Sequence, residues 1–152
     1  MAIRDVVEDG AEILRKKARA VTAFDDKLGK ILDDMVETMG VKEGVGLAAP
    51  QIGYLRRFAV FMLEDGEIVE LINPVILEAR GEEVLEEGCL SVPQRCEKIK
   101  RPIYLRVKYQ DRHGNELERV FEGYDARVCC HEMDHLDGIL YYDKAIADDE
   151  EE

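Results

Sequence analysis

The sequence predicts an α+β fold: antiparallel β-sheets packed around a C-terminal helix, with one further helix nearer the N-terminus. Two stretches carry the features of helices, and several short apolar or alternating stretches between them have the length of strands. The strands do not alternate regularly with helices, so βαβ units and a parallel sheet are not expected.

Taken in order, the first strong element is "DDKLGKILDDMVETMG". Leu28, Ile31, Leu32, Met35 and Met39 recur at helical spacing and form one core-facing stripe. Asp25 is placed to cap this helix, and Gly40 to end it in the left-handed conformation. "FAVFML" and "IVELI" then flank the turn-like Glu64-Asp65-Gly66-Glu67, and "VILEA" is another candidate strand. "IYLRVKYQ" alternates, with Ile103, Leu105, Val107 and Tyr109 on one face and Tyr104, Arg106 and Lys108 on the other. "DRHGNE" reads as a turn into "LERVF", with His113 exposed in it. The last element is a helix over 125–137, with Asp125 near its start and Gly138 just past its end.

The chain has 152 residues, 46% of them hydrophobic, enough for one domain that buries roughly 70% of its unfolded surface. That domain is expected over 1–147, followed by an acidic tail at 148–152. No run approaches the ~20 apolar residues of a membrane span, and "MAIRDVVEDG" lacks the pattern of a signal peptide. A cytoplasmic protein with no membrane association is the plain reading. The formal net charge is −13, and removing the five acids of the tail leaves −8. Such a chain is repelled by phosphate backbones, so direct nucleic-acid binding is not expected. The four cysteines, Cys89, Cys96, Cys129 and Cys130, read as reduced thiols because nothing marks the chain as secreted.

The last helix carries the chemistry, in "VCCHEMDHLDG". His131 and His135 lie one turn and about 40° apart around the axis, so both can reach one ion. Glu132 lies about 60° from His135, near enough to touch a water on that ion without being forced to ligate. Cys130 points about 100° from His131 and 140° from His135, and Cys129 about 160° and 120°. Neither thiol easily shares an ion with both imidazoles, so both read as small buried hydrophobes. A further ligand must come from elsewhere. Two histidines and one more ligand leave a coordination position open for water, the mark of a catalytic site rather than a structural one.

Two other stretches complete the pattern: "GVGLAAPQ" from Gly44 to Gln51, and "EGCLS" from Glu87 to Ser91. With "HEMDH" they resemble the three motifs of bacterial peptide deformylases, in the family's order, and the resemblance runs from "MAIRDVVEDG" to "GILYYD". It implies an enzyme that removes the formyl group from the initiator methionine of nascent polypeptides and releases formate. It also implies Cys89, His131 and His135 as ligands of one divalent ion, typically Fe²⁺, with Zn²⁺, Ni²⁺ and Co²⁺ as alternatives. Glu132 is then the general acid/base, and Gln51 with the backbone N–H of Leu90 stabilises the oxyanion. Val45, Gly46 and Gly88 would pair with the extended peptide, and Val45, Val128 and Tyr124 would line the methionine pocket. The partners implied are N-formyl-Met peptides and nascent chains, with transient proximity to the ribosome. An HExxH endopeptidase would use the same water and base, but gives no reason for GVGLAAPQ and EGCLS to occur together.

The sequence departs from the common family pattern in three places. Cys130 stands where a glutamine is usual. "SVPQRCEKIKRP" lacks a glycine that many members carry after SVP, and Arg95 is expected to meet the substrate's downstream backbone or carboxylate. After "ILYYDK" the chain carries acids where some members have a basic helix that works at the ribosome.

Overall fold

The protein is described here by a computed structural model covering residues 2–146. The expected acidic tail at 148–152, and residue 147 before it, lie outside the described residues. Seven strands and two α-helices follow one another as α1 (Asp26–Val41), β1 (Gly46–Ala48), β2 (Phe58–Met62), β3 (Ile68–Arg80), β4 (Glu83–Cys89), β5 (Val92–Arg101), β6 (Tyr104–Gln110), β7 (Glu116–Glu122) and α2 (Tyr124–Leu136). Every strand pairing is antiparallel. One sheet has the order β1-β2-β3-β6-β7, and β4 and β5 form a second, two-stranded sheet. The fold is the α+β arrangement expected, with α2 at the centre.

The main sheet is sandwiched between the helices. On β2, Phe58 and Val60 join the cluster of α1, formed by Leu28, Ile31, Leu32, Met35 and Met39. Between them Ala59 packs with Leu136, and Phe61 with Ala126, Val128, Cys129 and Met133 of α2. A strand buried on both faces reads as a continuous apolar run, which is why "FAVFML" does not alternate. Each such large side chain contributes about 1.5–3 kcal/mol relative to exposure.

Local chemistry sets most element ends. The Asp25 side chain accepts from the Leu28 N–H at 3.0 Å, capping α1 as expected. Gly40 does not end the helix. It lies inside α1, and the left-handed residue is Glu43, at φ 58°. The amides of Glu43 and Gly44 return to the carbonyls of Gly40 and Met39, closing the helix one turn later. The chain turns there because Gly44 packs against Leu90, whose Cδ1 would be 2.7 Å from an added Cβ. Gly138 does follow α2 at φ 75°, and an added Cβ would lie 2.6 Å from the Arg15 carbonyl oxygen.

Three strand assignments change. "IVELI" and "VILEA" form one strand, β3, with register shifts after Ile72 and Ile76. Asn73 sits between them at φ 51°, its side chain bonded to both backbone groups of Val21. Ile103 is not on the inner face of β6: it precedes the strand, follows Pro102, and covers Gly81 while staying 41% exposed. β4 and β5 have no counterpart in the expected elements, because charged residues obscure their alternation. Among the described residues, no helix is long and apolar enough to cross a membrane.

Candidate metal centre

Helix α2 supplies two imidazoles on one face. The hairpin β4–β5 brings a thiol to them: Cys89 ends β4, and its Sγ lies 3.3 Å from His135 Nε2. One donor atom from each of Cys89, His131 and His135 falls within 4.8 Å of the others. The set fits a single ion, because one sulfur and two imidazole nitrogens converge at that spacing, with the thiol half-buried and His135 fully so. A soft thiolate with two imidazoles suits Zn²⁺, Fe²⁺, Ni²⁺ or Co²⁺ rather than Mg²⁺ or Ca²⁺.

His131 is held from behind by a buried ion cluster. Its Nδ1–H donates to Glu87 Oε1 at 3.0 Å, which leaves Nε2 to face the thiol. The same carboxylate accepts from Arg101 Nε and Nη2, each at 2.9 Å, and from Arg127 Nη1. Arg101 also meets Asp134, and Arg127 donates to the carbonyls of Ile99 and Glu83. These bonds fasten the β4–β5 hairpin to α2, and so carry Cys89 to the histidines. Burial alone would raise Glu87, but His131 and Arg101 hold its carboxyl down at about 2.

Glu132 faces the other way. It is 3% exposed, and its Oε1 has no hydrogen-bond partner among the described residues. Burial, with the neighbouring acids Glu87 and Asp134, outweighs the cations and pushes it up to about 7. Gly46 of β1 makes the room: an added Cβ would lie 2.3 Å from Glu132 Oε2. Gln51 is 1% exposed in the turn after β1. Its Oε1 accepts from the Ala48 N–H at 2.9 Å, and its Nε2 donates to Ser91 Oγ at 3.0 Å and to Cys89 Sγ at 3.4 Å.

A cavity of about 390 Å³ opens above these groups. Its walls are Glu43 to Gly46 on one side and Glu86 to Leu90 on the other, with Tyr124, Arg127, Val128, His131 and Glu132 from α2. β1 is an edge strand of the main sheet, so one row of its backbone groups has no strand partner.

A sequence profile of polypeptide deformylases matches residues 3–151. The chain belongs to the polypeptide deformylase family. It is 52% identical over 146 residues to a peptide deformylase of Thermoanaerobacter pseudethanolicus, covering 96% of this chain and 91% of that one. The crystal structure of peptide deformylase from Thermotoga maritima superposes with a TM-score of 0.94 at 44% identity, covering 97% of this chain and 100% of that one. The Met-Ala-Ser-bound class I type b peptide deformylase of Acinetobacter baumannii follows at 0.89 and 35%, covering 93% and 98%. This family supports removal of the formyl group from nascent peptides, and the chain is an enzyme of the same kind.

Most deformylase site residues inferred from the sequence gather here. Cys89, Leu90, His131 and Glu132 line the cavity together with Val45, Gly46, Gly88, Tyr124 and Val128, and His135 and Gln51 both contact Cys89 without being among the lining residues. Arg95 is not among the lining residues. Its Nε pairs with Glu97 at 2.8 Å, and its guanidinium lies 4.2 Å from the Tyr142 ring centre. Cys129 and Cys130 are buried in the cluster between α2 and the sheet, where burial raises Cys130 to about 11 and Cys129 well above its ordinary value. Ser91, Arg101, Arg127 and Asp134 take part without having been singled out, and Glu87 was read only as the first letter of its motif. A signal for Arg127 existed: it lies one turn before His131, on a face that is otherwise buried.

Proposed function

We propose that the cleft binds an N-formyl-Met peptide and that Cys89, His131 and His135 hold one divalent ion, Fe²⁺ in the working enzyme. When bound, such an ion would act as a Lewis acid and lower the pKa of a water beside it to about 7. The convergence of three donors beneath the cavity, beside a buried carboxylate with an unpartnered oxygen, carries this reading.

Each residue then has a defined task. The peptide backbone adds a strand along the free edge of β1, between Val45-Gly46 and Gly88. The methionine side chain lies against Val45, Tyr124 and Val128. Gln51 Nε2 exchanges its long contact to Cys89 Sγ for the formyl oxygen as that oxygen gains charge, while Ala48 and Ser91 hold the rest of the amide in place, and the Leu90 N–H faces the same oxygen. Glu132 takes a proton from the attacking water and delivers it to the departing amine. A carboxyl raised to about 7 is suited to both transfers near neutral pH. The Acinetobacter baumannii relative whose structure holds Met-Ala-Ser supports a peptide of that kind as a ligand here. We place the enzyme in the cytoplasm, acting on nascent chains close to the ribosome and without contacting RNA through its acidic surface.

The test is anaerobic purification, metal analysis and formate release from formyl-Met-Ala-Ser on one sample. One equivalent of iron per chain with formate release is the expected result. Cleavage of unformylated peptides with no formate released would overturn the assignment.

A further inference from the structure

We propose that Tyr141 is a positioning residue that links the His131 ring to the rim of the substrate cleft. Its ring would act on the histidine and its hydroxyl on the rim. This inference rests on the ion site argued above.

Tyr141 opens the short 3₁₀ turn Tyr141–Lys144 beyond α2, yet it is only 1% exposed. Its ring stacks on that of His131, with centroids 5.8 Å apart and planes inclined by 29°. Glu87 fixes the tautomer and in-plane direction of His131 through Nδ1, but one hydrogen bond leaves the ring free to tilt. A stacked ring opposes that tilt, so the two contacts together aim the free nitrogen.

The other end of Tyr141 reaches the cleft. Its hydroxyl donates to the Arg95 carbonyl oxygen at 2.5 Å. That carbonyl and Cys96 Sγ lie 3.7 and 3.8 Å from the position of a Cβ on Gly88, which lines the cavity. Tyr142 grips the same residue from outside, beneath the Arg95 guanidinium, and its own hydroxyl donates to Asp9 Oδ1 at 2.6 Å. Arg95 thus has a role at the rim without entering the cavity: its backbone and side chain are both held by the tyrosine pair, directly behind Gly88.

The test compares Tyr141→Phe, which keeps the ring, with Tyr141→Met, which removes it. Co²⁺ affinity by chelator competition, the Co²⁺ absorption spectrum, and KM and kcat at saturating metal are measured for both. Tyr141→Phe should match the parent in affinity and spectrum while KM rises several-fold. Tyr141→Met should lose about 10–100-fold in affinity, the usual loss when a ligand's supporting contact is removed, and its spectrum should shift. Parent-like affinity and spectrum in Tyr141→Met would overturn the role of the ring, and an unchanged KM in Tyr141→Phe would overturn that of the hydroxyl. A lower melting temperature with all these values unchanged would mean simple core packing and would sink the proposal. If the parent binds no Co²⁺, the ion site itself fails, and this role with it.

Discussion

Replacing Gly46 by alanine tests the steric construction of the site with one methyl group. The new Cβ would lie 2.3 Å from Glu132 Oε2, 2.8 Å from Cδ and 3.1 Å from Cγ. Relief to an ordinary contact near 3.4 Å requires a shift of about 1 Å. The strand cannot supply it, because the neighbours Leu47 and Ala48 are fully buried and β1 is paired in register with β2. The shift therefore falls on Glu132, whose Oε1 has no hydrogen bond to hold it in place. A displacement of that size at a reacting group costs on the order of 10²-fold in rate. Overpacking itself should cost about 1–3 kcal/mol in stability. The assay is kcat/KM for formate release, with metal content and a thermal melt on the same sample. Gly40→Ala is the control: its Cβ meets nothing within 4 Å inside α1, so it should leave activity unchanged and stabilise by about 0.4–1 kcal/mol. Gly46→Ala with parental kcat/KM would refute the reasoning.

Further outcomes follow from the same contacts. Glu132→Gln should lose roughly 10²–10⁴ in kcat and keep its metal, because in the proposed mechanism the side chain handles protons and ligates nothing; normal turnover would sink that mechanism. Glu87→Gln removes the negative charge facing the buried Arg101 and Arg127, and should destabilise by about 3–5 kcal/mol in urea titration. An unchanged unfolding midpoint would show that the cluster carries little stability. Asp34 accepts from the Ala2 N–H and from Arg4, and these bonds hold its carboxyl below the usual range. A depressed pKa stabilises the fold above the ordinary carboxylate value, and that contribution disappears as pH falls through the folded value. The melting-temperature gap between the parent and Asp34→Asn should therefore be open at pH 7 and close in strong acid, and a gap independent of pH would contradict it.

Legibility from the sequence followed the range of the interaction. The stripe Leu28, Ile31, Leu32, Met35 and Met39, the Asp25 cap and the Gly138 stop all depend on groups within a few residues, and all three occur where the sequence puts them. The end of α1 departs from the sequence pattern because its left-handed residue, Glu43, is set by packing between Gly44 and Leu90, far apart in the chain. The hairpin β4–β5 stayed hidden for a related reason. Its buried charges, Glu87 and Arg101, resemble solvent-facing residues until their partners on α2 are known.

By itself, the sequence determined that His131 and His135 share a face, that Glu132 flanks them, and that Cys129 and Cys130 point elsewhere. These are consequences of helical rotation, which needs no tertiary contact. Which thiol joins them is not open to that reasoning, and only the family motifs imply Cys89. The tertiary structure decided which thiol lies beside the histidines: β4 is anchored to α2 through Glu87, Arg101 and Arg127, which brings Cys89 to 3.3 Å from His135. A thiol 46 residues before the histidine it meets is placed by the fold around it, because no local periodicity reaches that far.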